Sequence, residues 1–368
     1  MIKLKTINFI KSHKHWKELL MAPPYCLKIV EDANYYMLRH NQLESDFSQP
    51  ICNECRGLVI DKNTLEPIAL SFPRFYNYGQ KEAAQIHWNS ARVQEKIDGS
   101  KIMVFWDKYA LDWKICTSGT LNAYDAEVGG QKFSFGSLFD RAVQTIHPEG
   151  MMFFKLALNK DKIYTFELVS PFTQVVIPYR QTELYLIGQR DRYTFLEEEP
   201  EIPYMPFKRP KFYEYHSLEE CIAATSKMGS DEEGFVVVDK FWSRIKIKSL
   251  AYLEAHYLAN NRCITDNRIF NIIMQGEEGE FLSYFPEYQP QFDEIKGRIA
   301  QWEVDCRAAI EDVMAHRFTE RKELAAYVAQ NYSDKSNIIF DFMDSIGRYL
   351  QIYLRKMTSN QREKFFNI

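Results

Sequence analysis

Short stretches of alternating apolar and polar residues run through the first quarter of the chain, and this alternation is typical of strands with one buried face. Residues 26–30 and 36–39 both alternate in this way. The polar residues 31–34 between them favour a hairpin turn. We therefore predict that residues 1–95 form a β-rich segment of short strands and turns.

The strand pattern continues to about residue 250 with one interruption. Residues 102–106, 113–117 and 163–169 are apolar-rich runs of strand length. Residues 136–146 instead carry apolar side chains at intervals of three or four, which predicts a helix. These runs predict a domain rich in strands over residues 1–250.

A different pattern begins after residue 250. Apolar side chains recur at every third or fourth position there, as they do along one face of a helix. The clearest series is Phe292, Ile295, Ile299, Trp302, Cys306, Ile310 and Val313. We predict an α+β fold, in which the sheet domain is followed by an all-α domain over residues 251–368.

The overall composition describes a folded and slightly acidic protein. The chain has 368 residues, 46% of them apolar and 15% aromatic, which is enough for two or three domains with sizeable cores. The net charge of −4 argues against capture of nucleic acid by the whole surface. Any site for a polyanion must therefore be a local basic patch.

Cysteine use and hydropathy indicate the cellular compartment. The seven cysteines are scattered, and Cys52 and Cys55 lack a second pair that would complete a zinc site. Such usage is typical of a reducing compartment. The sequence contains no run of 18 apolar residues and no apolar core of a signal peptide. We expect a soluble, cytoplasmic monomer with no membrane partner.

One lysine lies just before a turn, in a position that suits covalent chemistry. Lys96 precedes the turn-forming pair Asp98 and Gly99, after which residues 101–106 return as a strand. A lysine amine attacks phosphorus only when it is unprotonated, so burial or nearby cations would have to lower its pKa from about 10.4. Lys96 is therefore either a nucleophile or the solvated lysine of a surface hairpin.

Other cations are candidates for binding phosphate. Arg56 immediately precedes an apolar strand, where its guanidinium can hold a phosphate through two hydrogen bonds or pair with Glu54 at the surface. Arg244, Lys246 and Lys248 alternate with isoleucines, so the period of two directs all three cations to one face. That face is either a polyanion site or the solvated side of a sheet.

Two carboxylates and one aromatic segment complete the set of candidates. Glu167 lies within an apolar strand, where it can bind a ligand hydroxyl, contact a metal ion or face water at a sheet edge. Glu233 closes an acidic turn directly before another apolar strand. The aromatic segment 74–79, which includes Tyr76 and Asn77, belongs either to the core or to one side of a base-binding pocket.

In this order, these segments resemble the motifs of the covalent nucleotidyltransferase superfamily, and most closely those of the phage T4 RNA ligase 1 group. The matching segments are ECRG (54–57), KIDGS (96–100), FELV (166–169), EGFVV (233–237) and KIKS (246–249). Residues 171–179 match more loosely. Five motifs in the same order, within residues 50–250, are far more specific than any one of them.

The resemblance implies an antiparallel-sheet nucleotidyltransferase domain of the ATP-grasp-like ligase type over residues 1–250, and a role for each matched residue. Lys96 would take AMP from ATP, and Lys246 and Lys248 would complete the catalytic set by holding phosphates. Glu167 would contact the ribose, and Glu233 a magnesium (Mg²⁺) or manganese (Mn²⁺) ion. With the candidate base-pocket residues included, the predicted ATP-binding set is Arg56, Lys96, Glu167, Lys246, Lys248, Tyr76 and Asn77.

The activity implied by the resemblance is ATP-dependent RNA ligation. The enzyme would join a 5′-phosphate to a 3′-hydroxyl through a lysyl-AMP intermediate and an adenylylated RNA, in RNA repair. Its partners would be RNA ends, with tRNA as one candidate, in the cytoplasm of a cell or of a virus's host. The alternatives are a GTP-dependent capping-type nucleotidyltransferase and a non-catalytic RNA-binding module.

Two further features bear on this choice. DNA ligases and capping enzymes of the superfamily carry a small β-barrel after the last lysine motif, so the helical pattern of this chain favours RNA ligation. Relatives also often carry a basic residue in the turn after the strand that follows the nucleophile. This chain has Ser118 at the centre of that turn, which puts one phosphate contact in doubt.

Overall fold

The chain divides into two compact units, Met1–Arg262 and Cys263–Ile368. The first unit contains the described strands, and the second is helical. This is the predicted α+β fold, with antiparallel sheets followed by a helical C-terminal region. The structure is a computed structural model, and it describes residues 3–257, 264–316, 318, 320–344, 349–366 and 368.

The first unit is built from short strands connected by turns and short helices. Its helices are α1 (Lys5–Ser12), α2 (Trp16–Met21), α3 (Pro50–Glu54), α4 (Phe135–Ile146), α5 (Gly150–Ala157), α6 (Leu218–Thr225) and α7 (Leu250–Tyr257). Its strands are β1 (Lys28–Glu31), β2 (Tyr35–Arg39), β3 (Arg56–Asp61), β4 (Pro67–Ala69), β5 (Tyr76–Asn77), β6 (Arg92–Glu95), β7 (Ser100–Asp107), β8 (Asp112–Thr117), β9 (Lys162–Val169), β10 (Glu183–Asp191), β11 (Glu197–Glu198), β12 (Phe212–Tyr213), β13 (Gly234–Val238) and β14 (Arg244–Lys248).

The strands form three sheets. We call them sheet I (β1-β2-β3-β4), sheet II (β11-β10-β9-β7-β8) and sheet III (β12-β6-β13-β14-β5). Neighbouring strands are antiparallel, except that β14 and β5 run parallel. The predicted hairpin is the β1–β2 pair, and the predicted helix over residues 136–146 is α4, which Ser134 caps.

Residues 1–95 contain the predicted short strands, β1 to β6, but also the helices α1, α2 and α3, which the strand pattern did not predict. The Glu54 carboxylate accepts hydrogen bonds from the backbone N–H groups of Lys5 (3.0 Å) and Thr6 (2.9 Å) at the start of α1. A carboxylate there stabilises the helix by satisfying N–H groups that have no partner within it. This partner lies 48 residues beyond Thr6, so a local sequence pattern does not reveal it.

Strand register brings the motif segments together. In sheet II, Lys101 of β7 lies opposite Glu167 of β9. In sheet III, β13 lies between β6 and β14, so Phe235 is opposite Glu95 on one side and Ile247 on the other. The residue after β6, Lys96, therefore leaves the sheet beside the beginning of β13.

The alternation predicted for β14 is present. Ile245 and Ile247 are buried in a core that also contains Val93 and Phe235. Lys246 and Lys248 point to the other face, because successive side chains of a strand alternate. The core thus fixes the direction of both lysines.

Helix α7 belongs to the first unit, although the sequence analysis placed residues 251–257 in the C-terminal domain. Tyr252, Leu253 and Tyr257 of α7 are each 2% exposed or less. The Tyr252 hydroxyl donates to Asp98 of the first unit at 3.1 Å, which ties α7 to the loop that follows β6.

The second unit is a bundle of helices. The series of apolar residues predicted from Phe292 to Val313 lies along α10, and all seven residues are buried. Among the described residues, no helix is long and apolar enough to cross a membrane. The helices are α8 (Asp266–Gln275), α9 (Glu278–Tyr284), α10 (Gln289–Ala315), α11 (Arg321–Asn331), α12 (Ser336–Asp344), α13 (Tyr349–Lys356) and α14 (Ser359–Phe366).

Candidate active site

A cavity of about 340 Å³ in the first unit is lined by residues of all three sheets and of the loops between them. A volume of this size is typical of small-molecule sites. Apolar side chains contribute to its walls: Phe72, Phe75, Ile97, Ile187, Pro210 and Val236. The charged side chains that line it include Arg56, Lys96, Lys101, Glu167, Arg244, Lys246 and Lys248.

Lys96 lies in an ion pair at this cavity. Its backbone N–H donates to the Gly234 carbonyl (2.9 Å), which ties the residue to the start of β13. Its Nζ donates to Glu233 Oε2 at 2.6 Å, and the Lys248 Nζ is 3.5 Å from Glu233 Oε1. The side chain of Lys96 is 20% exposed and that of Glu233 is 3% exposed. Lys96 is therefore not the solvated lysine of a surface hairpin.

The turn after Lys96 is held by its buried aspartate. Asp98 Oδ2 accepts hydrogen bonds from the backbone N–H groups of Val176 and Ile177, each at 3.0 Å. Asp98 Oδ1 accepts one from the Tyr252 hydroxyl at 3.1 Å. A Cβ atom on Gly99 would lie 2.6 Å from the Leu168 carbonyl oxygen, so only glycine fits there. These contacts fix the loop that carries Lys96.

Tyr252 is a contact residue of this loop that the sequence pattern does not predict, because the helical spacing after residue 250 assigns it to the C-terminal domain. The ring of Tyr252 also lies under the Lys248 ammonium, with 5.6 Å between Nζ and the ring centroid. Tyr252 therefore connects α7 to both the basic strand β14 and the nucleophile loop. The only signal in the sequence is the tyrosine itself, because a buried tyrosine usually places its hydroxyl against a hydrogen-bond partner.

Arg56 begins β3 and lines the cavity. Its guanidinium lies 5.5 Å from the centroid of the Phe75 ring. The alternative of a surface pair with Glu54 does not hold, because the Glu54 carboxylate is bonded to the start of α1. The guanidinium is thus left facing the cavity.

Glu167 is on β9, which lies between β7 and β10 in sheet II, and so it is not on an edge strand. Its half-buried side chain lines the cavity. Burial raises the pKa of Glu167 to about 7, although the charges of Lys96 and Arg56 act in the opposite direction. Among the described residues, no hydrogen-bond donor is paired with this carboxylate. It is therefore available to a ligand.

The three cations of β14 differ in their surroundings. Lys246 and Lys248 line the cavity, as the alternation predicts. Arg244 also reaches its wall, but its guanidinium is paired with the Glu197 carboxylate at 2.5 Å. Glu197 binds the Arg190 guanidinium as well, at 2.6 Å. The charge of Arg244 is therefore largely neutralised within the protein, which the alternation alone did not indicate.

Tyr76 and Asn77 are not among the residues that line the cavity. They form β5, which pairs with β14, and both are buried. The Tyr76 hydroxyl donates to Asn53 Oδ1 at 2.5 Å. The geometry therefore does not support the prediction that they bind ATP. Phe72 and Phe75, which the analysis did not single out, provide the aromatic part of the wall.

The acidic residues of the site could bind a magnesium ion only if a bound ligand supplied further coordinating oxygens. Among the described residues, no three His, Cys, Asp or Glu side chains are grouped as a metal site. Mg²⁺, however, is commonly bound through one or two carboxylates together with substrate phosphates and water. Glu233, beside Lys96 and Lys248, is a carboxylate of that kind.

The chain is similar in sequence to known RNA ligases. A putative bifunctional polynucleotide kinase/RNA ligase of Autographa californica nuclear polyhedrosis virus is 29% identical over 277 residues, and the match covers 71% of this chain. The match covers only 39% of the viral protein. An RNA ligase of Rhodothermus phage RM378 is 22% identical over 314 residues, which cover 68% of this chain and 70% of that protein.

Among solved structures, an archaeal ATP-dependent RNA ligase aligns over 93% of this chain and 99% of that chain, with 11% identity and a TM-score of 0.45. The family model of RNA ligases of the T4 ligase 1 type matches residues 54–252, more than half of the chain. This match includes every motif residue from Arg56 to Lys248. The chain therefore belongs to the T4-type RNA ligase family.

Proposed function

We propose that the protein is an ATP-dependent RNA ligase that works through a lysyl-AMP intermediate. The Lys96 amine attacks the α-phosphorus of ATP, a P–N bond forms, and pyrophosphate leaves. The AMP then passes to the 5′-phosphate of an RNA and frees Lys96. The 3′-hydroxyl of a second RNA end attacks that phosphate, a phosphodiester forms, and AMP leaves.

The observation that carries this proposal is the placement of Lys96 in a cavity beside Glu233 and Lys248. The Lys96 Nζ is 2.6 Å from Glu233 Oε2, which in turn neighbours Lys248. A solvated or structural lysine needs no such surroundings. Transfer of a nucleotide to an amine, by contrast, requires cations around the phosphates and an acidic group near the reacting atoms.

The other cavity residues take roles that their positions allow. Arg56, Lys246 and Lys248 bind the non-bridging phosphate oxygens, and the Glu167 carboxylate accepts a hydrogen bond from a ribose hydroxyl. Phe72 and Phe75 flank the base. Glu233 would hold Mg²⁺ or Mn²⁺, which when bound neutralises charge on the phosphates. The remaining chemistry is positioning by this chain's own residues.

Incubation with α-labelled ATP or GTP, followed by a denaturing gel, tests the proposal. We expect a labelled protein band with ATP and magnesium, and none with GTP. A band with GTP alone would instead favour a capping-type activity. No band with either nucleotide, from folded protein, would favour a non-catalytic RNA-binding module.

The biological setting is part of the proposal. RNA ends are the expected substrates, with tRNA as one candidate, and the expected role is RNA repair by a cytoplasmic monomer. A slightly acidic protein must hold RNA through local cations, so sealing should weaken as the salt concentration rises. Sealing assays with defined ends would establish which RNA is joined.

A further inference from the structure

Lys101 is a cavity residue to which the sequence motifs assign no role. It lies on β7, opposite Glu167 in the neighbouring strand β9, and it lines the same cavity. Its Nζ donates to the Arg56 carbonyl oxygen at 3.0 Å. Within the described part of the chain, it forms no ion pair with a carboxylate.

Lys101 differs from two other lysines of the same sheet, because those lysines are paired with carboxylates. Lys114 on β8 is 2.7 Å from an Asp32 oxygen, and Lys162 on β9 is 2.7 Å from a Glu198 oxygen. An ammonium has three N–H donors, and the bond to the Arg56 carbonyl uses one of them. The remaining donors of Lys101 are therefore available to a ligand in the cavity.

A half-buried lysine without an acidic partner is costly for the folded protein. Burial and the charge of the Arg56 guanidinium lower the pKa of Lys101 well below its usual value, although Glu167 partly opposes them. Such a group is stabilised by an anion that enters the cavity. A phosphate fits this requirement, because it brings negative charge and several acceptor oxygens.

We propose that Lys101 is a further catalytic residue, which binds a phosphate oxygen of the substrate from the sheet II side of the cavity. Lys246 and Lys248 approach from sheet III, so the phosphates would be held from two sides. Ser118, which also lines the cavity, contributes no charge there. This inference rests on the proposed function, and the phosphate belongs either to ATP or to the 5′ end of the RNA.

Equilibrium binding to the full chain distinguishes these two sources. The Lys96→Ala background prevents reaction, and the Lys101→Met change removes the cation while keeping an apolar side chain of similar length. The ligands are ATP, adenosine, and an RNA oligonucleotide with either a 5′-phosphate or a 5′-hydroxyl. We expect Lys101→Met to lower the affinity for the phosphate-bearing ligand by about 10- to 100-fold, which is the contribution of a typical charge-assisted hydrogen bond. Adenosine binding should not change.

A matched control and a stability measurement separate this role from a structural one. Lys114→Met removes a lysine of the same sheet outside the cavity and should leave binding of all four ligands unchanged. Lys101→Met should keep or raise the melting temperature, because it removes a buried charge without a partner. Lys101→Arg, which restores the charge, should recover part of the lost affinity.

The possible outcomes have distinct meanings. Weaker binding of ATP alone assigns the phosphate to the nucleotide, and weaker binding of the 5′-phosphorylated RNA alone assigns it to the RNA end. Unchanged affinity for both, in a folded Lys101→Met protein, overturns the proposal. Failure of the wild-type protein to form lysyl-AMP would refute the proposed ligase mechanism instead, and the binding result would still decide the role of Lys101.

Discussion

Two groups of charged side chains in the first unit differ in how completely their charges are paired. In the paired cluster, Glu197 binds both Arg190 and Arg244, and all three side chains are 7% exposed or less. In the incomplete cluster, Glu167 and Lys101 line the cavity, and neither forms an ion pair among the described residues. The charges of the paired cluster are satisfied within the protein, whereas the incomplete cluster is suited to a ligand.

This difference follows from the energetics of buried charge. A buried pair with good geometry roughly balances its own desolvation, and removing one partner is strongly destabilising. A buried charge without a partner is costly from the outset, and proteins retain such groups mainly at functional sites. Substitution in the paired cluster should therefore lower stability. Substitution in the incomplete cluster should instead lower activity while keeping or raising stability.

The largest effect is expected for Lys96→Ala. No other residue supplies the proposed attacking amine, so labelling by α-labelled ATP should fall to background. The measurement is the labelled band on a denaturing gel, with Lys114→Ala as the lysine control. A labelled band of normal intensity in folded Lys96→Ala would place the nucleophile elsewhere.

Glu233→Gln should lower the rate of lysyl-AMP formation by about 100- to 1,000-fold, because it removes the proposed metal ligand and the acidic partner of Lys96. The turn that carries Glu233 should remain folded, since Gln keeps the size of the side chain. Single-turnover kinetics over a range of magnesium concentrations provide the measurement. A rate equal to that of the wild type at every magnesium concentration would remove Glu233 from the site.

Glu197→Ala tests the paired cluster. It leaves Arg190 and Arg244 buried without their carboxylate, which should lower the free energy of unfolding by about 3 to 5 kcal/mol. Thermal unfolding followed by circular dichroism should show a melting temperature lower by roughly 10 °C. If Glu197→Ala left the melting temperature unchanged, the distinction between the two clusters would fail.

Glu167→Gln should have a smaller effect on stability, and one that depends on pH. Burial raises the pKa of Glu167 from 4.5 to about 7 in the folded protein, so folding takes up a proton between these two pH values. The wild type therefore loses stability as the pH rises from about 4.5 to about 7. Gln stays neutral, so the variant should be more stable than the wild type at pH 8 by about 1 to 2 kcal/mol.

The comparison at a second pH provides the control for this prediction. At pH 4.5 Glu167 is protonated in the folded protein, so the loss of stability that develops between pH 4.5 and 7 is absent and the two proteins should unfold at similar temperatures. A Glu167→Gln protein that is less stable than the wild type at pH 8 would mean that the carboxylate is paired in solution, contrary to the structure.

The smallest effect on lysyl-AMP formation is expected for removal of the second unit. A fragment that ends after Tyr257 retains the cavity and the buried residues of α7, so it should still accept AMP from ATP. Sealing of RNA should become weaker or less selective, and gel assays of both steps would show this. A soluble, folded fragment that accepts no AMP would mean that the helical unit completes the active site.

Much of the site could be predicted from the sequence, because its charged residues lie in short motifs with a defined order. Arg56, Lys96 and Glu167 do line one cavity, although more than a hundred residues separate the first from the last. The order of the motifs carried this information through the resemblance to a family. Hydropathy also predicted the direction of Lys246 and Lys248, since alternation within a strand is a local property.

The errors of the sequence analysis share a physical origin in long-range contacts. Helix α1 depends on a cap from Glu54, and Tyr252 finds its partner, Asp98, 154 residues away. A second difference is local: Phe75 lines the cavity, whereas the predicted ligand residue Tyr76, one position later, does not. In an extended segment adjacent side chains point to opposite faces, so a shift of one position replaces a side chain on one face with one on the other.

Identification of the residue that carries the nucleotide tests the central claim most directly. The wild-type protein would be incubated with ATP and magnesium, digested with protease, and analysed by peptide mass spectrometry before and after treatment with acid or base. We predict a single AMP adduct on Lys96 that is lost in acid and survives in base, as a P–N bond does. An adduct on any other residue, or one with the opposite lability, would contradict the account.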